Sequence, residues 1–293
     1  MAMAQDYNAA VDTFNNGIQS ESKLERLQMV RSALTQFQAC EEAEAAEMIE
    51  KCKEIIPSIL VSLGKENINE QNYDEAIAFL KEAAEVAKEY GIEGVDEEAL
   101  GLIPNALLRK ATTLIKANNF AAAVESLKEA TALDPENGKA WLLLGQALIK
   151  NGQDEDAIAA LTSAAEFGQS AKANGILVKE FIKIGDARKK ERKIAEAIEF
   201  YEKALGVDET NAQVVLKIAN TYVQTGANAK AIASFKRYLE LNPNADNAND
   251  ILYTIAATAQ KAGDKATAVE YYTMLKADAK YGATAVQMLN QLK

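Results

Sequence analysis

The chain has 293 residues, with 43 acidic against 32 basic side chains, a net charge of −11, 48% hydrophobic residues and no histidine. Without histidine, the commonest general base and the commonest zinc ligand are missing. The acidic balance argues against nucleic acid or an anionic membrane surface as the main partner, because both require a concentrated basic surface. The acidic charge is compatible with a partner protein that has a basic surface.

The negative charge is concentrated in the first third of the chain. Residues 1–100 hold 21 acidic and 8 basic side chains, a net charge of −13, whereas residues 101–293 hold 22 and 24, a net charge of +2. No stretch approaches the ~18 consecutive apolar residues of a membrane-spanning helix. The sequence therefore predicts no membrane span.

The first residues, 1–4, read as a remnant. Ala2-Met3-Ala4 is similar to the A-x-A end of a secretory signal, and a cloning remnant fits equally well. In the first case the protein is exported, periplasmic or secreted from a bacterium, and otherwise it is cytoplasmic. Both alternatives stay open.

Residues 5–56 have the apolar spacing of helices. Val11, Phe14 and Ile18 recur at helical intervals, as do Leu27, Val30 and Leu34. We expect divergent N-terminal helices here, since the segment departs from the pattern that follows it.

An internal repeat organises the next part of the chain. Alanines in one register recur at spacings of 34 to 47 residues, namely Ala76, Ala123, Ala157, Ala197, Ala231 and Ala268. Four residues later comes a large side chain each time, and twelve residues earlier a Gly or Ala. The four-residue spacing places each alanine and its large side chain on one face of the same helix. The twelve-residue spacing indicates an earlier helix that packs closely against that face. Gly152, Gly226 and Gly263 mark turns between the two helices.

These residues resemble the tetratricopeptide repeat, a helix-turn-helix unit of 34 residues. The match is clearest at Trp141, Leu144, Gly145, Leu148, Ala157 and Leu161, and Pro135 and Pro243 fit the proline that closes a unit. The resemblance spans residues 57–280 as six repeats, with 281–293 as a C-terminal capping helix. It implies an all-α fold, a right-handed superhelical α-solenoid of antiparallel helix pairs.

In that family the first helices of the units line a concave groove that binds peptides or protein segments. The resemblance places ten residues of this chain along such a peptide groove: Leu108, Ile115, Leu142, Gln146, Ile149, Lys179, Ile182, Lys183, Asn220 and Tyr253. Their mixture of apolar and basic groups suits a ligand with apolar anchors and acidic residues. Packing against neighbouring helices explains Ile115, Ile149 and Ile182 equally well.

Other clusters have ordinary explanations. The basic run 188–193 lies where a helix end is expected, Cys40 and Cys52 read as buried thiols rather than a disulfide, and the glutamates of residues 41–47 lack the spacing of a calcium loop. No phosphate loop, dinucleotide fingerprint or nucleophile elbow occurs. We expect no catalytic residue, no metal and no cofactor.

The sequence thus predicts a non-enzymatic scaffold or adaptor that binds a protein or peptide. Self-association through the unequal charge of the two parts of the chain is the first alternative and leaves a homo-oligomer open. An unrecognised hydrolase, with groove carboxylates as acid and base, is the second.

Overall fold

The computed structural model describes residues 2–292, with side chains from residue 6 onward. The interpretation of residues 1–4 as a remnant lies outside the residues whose side chains are described. The chain forms two compact units, Met1–Gln169 and Ser170–Lys293.

The first unit consists of consecutive helices joined by short turns. Their bounds are α1 Ala2–Gln19, α2 Lys23–Gln38, α3 Glu44–Glu70, α4 Tyr73–Tyr90, α5 Val95–Lys116, α6 Phe120–Leu133, α7 Gly138–Lys150 and α8 Asp154–Ala164, followed by a kinked turn at Ala165–Gln169, where Phe167 and Gly168 leave the helical conformation. Each helix packs against the next one along the chain, from α1 with α2 to α7 with α8.

The second unit repeats this plan. Its helices are α9 Ser170–Lys190, α10 Ile194–Val207, α11 Ala212–Thr225, α12 Asn228–Leu241, α13 Ala248–Ala262, α14 Lys265–Met274 and α15 Gly282–Gln291. Again each helix contacts its successor. The predicted all-α fold of antiparallel helix pairs is confirmed.

Close packing within the pairs follows the sequence register. A Cβ atom added to Gly64, Gly145 or Gly185 would lie 2.6 Å from the side chain sixteen residues later, which is Leu80, Leu161 or Tyr201. At the corresponding places of the other pairs, Ala111, Ala219 and Ala256 are fully buried. Small residues therefore let the helix axes approach, and the large side chains fill the space beside the crossing.

The turn inside each of these pairs contains one residue with a left-handed backbone. These residues are Gln71, Asn118, Gly152, Arg192, Gly226 and Gly263, with φ between 58° and 78°. Gly226 caps the C-terminus of α11, and the amide of Ala227 donates a hydrogen bond to the carbonyl of Tyr222, as in a Schellman motif. The left-handed turn is therefore retained at Gln71, Asn118 and Arg192, where no glycine is present.

α5, the first helix of its pair, extends beyond the repeat unit. Between Ala76 and Ala123 the chain has 13 residues more than a 34-residue unit. They lengthen α4, which has 18 residues, and α5, which begins at Val95 and encloses Pro104. Asp96, Glu97 and Glu98 occupy its first turn, where carboxylates favour a helix start. Among the described helices, none is long and apolar enough to cross a membrane.

Candidate functional site

Five of the ten predicted groove residues lie on α5 and α7 of the first unit. Leu108, Ile115 and Ile149 are half-buried and pack against the cluster that contains Ala111, Leu127 and Leu144. Gln146 is exposed on α7. Leu142 is only 6% exposed, so it supports this surface from below and offers a ligand almost no contact area.

The other five lie on first helices of the second unit. Lys179 and Lys183 are exposed on α9, and Ile182 between them is half-buried. Lys183 Nζ lies 3.0 Å from Oε2 of Glu180, a carboxylate that is itself buried. Asn220 is exposed on α11. This surface therefore combines two cations and an amide with an apolar side chain.

Tyr253, the last predicted groove residue, is covered by the chain itself. Its ring stacks on Tyr281 with centroids 4.5 Å apart and an interplanar angle of 15°. Tyr281 in turn donates a hydrogen bond to Asp250 (2.8 Å), which also pairs with Lys280 Nζ at 2.8 Å. The segment before α15 thus closes this end of the α13 surface.

A polar network that the groove prediction did not include joins α9, α10 and α11. The Tyr201 hydroxyl donates to Oδ1 of Asp186 (2.6 Å), and Lys217 Nζ lies 2.9 Å from both carboxylate oxygens. Burial favours a raised pKa for Asp186, but the bonds from Tyr201 and Lys217 outweigh it and hold that pKa below its usual value. The carboxylate stays ionised and is held between Tyr201 and Lys217, one helical turn along α9 from Lys183.

One signal in the sequence points to this network. Tyr201 occupies the position of Leu80, Leu127 and Leu161, where a hydroxyl at full burial needs a partner. Burial and the bond to Asp186 raise the pKa of Tyr201. Because Asp186 follows Gly185, the glycine against which the ring packs, it is the nearest acceptor.

Two of the five cations in the basic run 188–193 form ion pairs at the turn after α9. Arg188 contacts Glu191 at 3.1 Å and Glu196 at 3.3 Å, and Lys193 lies 3.1 Å from Glu191. Bonds from Lys193 and Arg188 lower the pKa of Glu191. These contacts stabilise the α9–α10 turn and reduce the charge available to an anionic partner.

The cysteines and glutamates near α3 form no reactive cluster. Cys40 and Cys52 are free thiols, and burial raises the pKa of Cys52 to about 11, which keeps it protonated and unreactive. Within residues 6–292, no group of three or more His, Cys, Asp or Glu side chains could hold a metal ion.

Comparisons with known proteins place the repeat in a family. Tetratricopeptide repeat models match residues 57–90, 108–172 and 189–252. No curated protein matches the sequence.

Several solved structures are similar at low identity. MamA is 22% identical, with 64% of this chain and 92% of that chain covered and a TM-score of 0.34. PilF of Pseudomonas aeruginosa is 19% identical, covers 82% and 99%, and has a TM-score of 0.34. The TPR2AB domain of yeast Sti1, solved with pHSP90, is 15% identical, covers 81% and 96%, and has a TM-score of 0.32. The repeat matches and the helix pairs together show that the chain belongs to the tetratricopeptide repeat proteins.

Proposed function

We propose that the chain is a non-enzymatic scaffold that binds a protein or peptide segment on the surfaces of its first helices. The observation that carries the proposal is the arrangement on α9, where Lys179 and Lys183 flank the half-buried Ile182 and the fixed carboxylate of Asp186 lies one turn further. In the first unit, Gln146 and Ile149 provide a similar pairing of polar and apolar groups on α7.

The expected ligand is an extended or helical segment with apolar side chains and carboxylates. Its apolar groups would contact Ile149 or Ile182, and its carboxylates would pair with Lys179 or Lys183. We further propose that residues 57–280 act as six repeats, that residues 5–56 are divergent N-terminal helices, and that residues 281–293 cap the array. Terminal units of such arrays are commonly atypical, because one face meets water.

Quantitative pull-down from the native extract tests the proposal. Gln146→Glu combined with Asn220→Glu adds charge that repels a ligand with carboxylates at two exposed groove positions, so folding is unaffected while partner recovery falls at least about tenfold. The matched control is Ala78→Glu with Ala233→Glu, at exposed positions of the second helices α4 and α12. Equal partner recovery for both double variants would contradict the groove assignment.

Self-association is a second candidate, because residues 1–100 carry a net charge of −13 and residues 101–293 a net charge of +2. The acidic part of one copy could attract basic side chains of another. Attraction between exposed charges weakens as salt screens it. Light scattering across ionic strength should then show a molar mass that falls as salt rises, and a monomer at every salt concentration removes this candidate.

A further inference from the structure

A cleft of about 480 Å³ opens between α6 and α8 in the first unit. Its apolar floor comes from α7, where Trp141, Leu144 and Leu148 point away from the side that carries Gln146 and Ile149. The Trp141 indole is held in place, because its Nε1 donates to the carbonyl of Pro135 (2.8 Å). The cleft therefore has a fixed, partly aromatic floor.

Comparison with the preceding junction explains why the cleft is open. Lys81, five residues after a shared alanine, pairs at 2.9 Å with Glu129, six residues after the next one, and this pair bridges α4 and α6. At the α6–α8 junction the corresponding residues are Lys128 and Ser163, and both line the cleft. The serine is too short to make the bridge.

Two exposed apolar side chains lie on elements that flank the cleft. Leu133 at the end of α6 is 49% exposed, and Phe167 in the turn after α8 is 39% exposed. The Phe167 backbone packs against Gly138, so this turn lies where α7 begins.

The rim of the cleft is acidic. Asp156 lines it, and Glu125 on α6 and Glu166 in the turn after α8 lie three residues from the lining residues Lys128 and Ser163. Lys128 is the one cation among the cleft-lining residues, and its contact with Glu125 is long, at 3.9 Å. Charge complementarity therefore favours a basic occupant.

We propose that this cleft docks a basic amphipathic helix of a partner protein, with apolar residues of that helix on Trp141 and its Lys or Arg side chains against Glu125, Asp156 and Glu166. This is helix-in-groove recognition. It goes beyond the proposed function, because the cleft lies on a different side of α7 from Gln146 and takes a ligand of the opposite charge.

Fluorescence of Trp141 tests the proposal directly, since the chain has a single tryptophan. The probes are three synthetic peptides without Trp or Tyr: a Leu/Lys amphipathic helix, the same apolar pattern with Glu in place of Lys, and a scrambled Leu/Lys sequence. We expect a saturable blue shift with the Leu/Lys helix alone. No shift, or an equal shift with the Glu peptide, overturns the proposal.

Two variants locate the binding. Ser163→Glu supplies the carboxylate that closes the preceding junction, and Ala159→Arg fills the cleft and adds a repelling charge, so each should weaken the Leu/Lys helix at least about tenfold, or about 1.4 kcal/mol. Thr162→Glu, exposed on the neighbouring side of α8, adds the same charge as Ser163→Glu and should leave the affinity unchanged.

Thermal melting checks that all three variants remain folded. Unchanged binding by folded Ser163→Glu and Ala159→Arg would overturn the assignment to the cleft. A blue shift that appears on concentrating the protein without peptide would assign the surface to a second copy of the chain and also overturn the proposal.

Discussion

The two units place different side chains at the same repeat position. In the first unit the large residue beside each helix crossing is Leu80, Leu127 or Leu161, whereas in the second it is Tyr201, Phe235 or Tyr272. All six are buried. In the second unit two of them carry hydroxyls, and these reach polar side chains on the first helices: Tyr201 bonds Asp186 (2.6 Å) and Tyr272 bonds Gln260 (3.0 Å).

The difference shows that one packing position can both fill the core and hold a polar group at the helix surface. Leucine contributes burial alone, while tyrosine fills the same space and also fixes a polar group at the helix surface. Asp186 is such a group, and it lies one turn from the proposed groove residues Ile182 and Lys183. Tyr201 thus links the buried core of the second unit to a carboxylate near the proposed groove residues.

The largest expected effect comes from removing the shared packing. Leu161→Ala should lower the free energy of unfolding by about 2–5 kcal/mol, because it removes a fully buried side chain beside Gly145 and leaves a cavity. Urea unfolding followed by Trp141 fluorescence measures this within the first unit. Leu133→Ala, at an exposed position, should change stability by less than about 0.5 kcal/mol. An equally small loss for Leu161→Ala would contradict the role of the leucine in the packing.

A smaller effect is expected from removing the hydroxyls that distinguish the second unit. Tyr201→Phe should cost about 1.5–3 kcal/mol, because its partner is a carboxylate, and Tyr272→Phe about 0.5–1.5 kcal/mol, because its partner is an amide oxygen. Denaturant unfolding followed by circular dichroism gives both values. Equal costs would mean that the charge of Asp186 adds nothing to the tyrosine contact.

The pH dependence follows from the lowered pKa of Asp186. A group whose pKa is lower in the folded state adds stability above its unfolded pKa, near 3.8, and loses it as pH falls through the folded value. Asp186→Asn should therefore flatten the decline of stability below about pH 4. Acid melting curves identical to wild type after correction for a constant offset would contradict the assigned ionisation.

The smallest effect concerns the turns, where the units resemble each other. Arg192 has φ of 64° at the place where Gly152 has 78°. Arg192→Gly should raise stability by about 1 kcal/mol by removing the left-handed strain, and Gly152→Ala should lower it by a similar amount. Thermal melting of the two variants measures both signs, and a loss of stability in Arg192→Gly would show that the arginine side chain stabilises the turn.

Much of the fold could be predicted, because packing repeats in sequence register. The glycine and leucine sixteen residues apart, such as Gly145 and Leu161, indicate which helices cross and where. The repeat register does not specify that α5 begins at Val95, because a proline such as Pro104 favours the first turn of a helix, while here the carboxylates of residues 96–98 start the helix further upstream.

The candidate site was harder to predict, because it depends on which distant side chains meet. The burial of Leu142 and the stacking of Tyr281 on Tyr253 arise from packing that the repeat pattern does not specify. The open cleft at Trp141 had a readable signal, the serine at Ser163 where the preceding repeat has Glu129, but its significance appears only once the Lys81–Glu129 bridge is seen.

Photo-crosslinking from single positions tests the groove proposal most directly. A photoreactive amino acid placed at Gln146 or Asn220 in the native host should crosslink partner proteins. The same group at Ala78 or Ala233, on second helices, should give much lower yields. Equal or higher yields from Ala78 and Ala233 would contradict the claim that the first helices bind the partner.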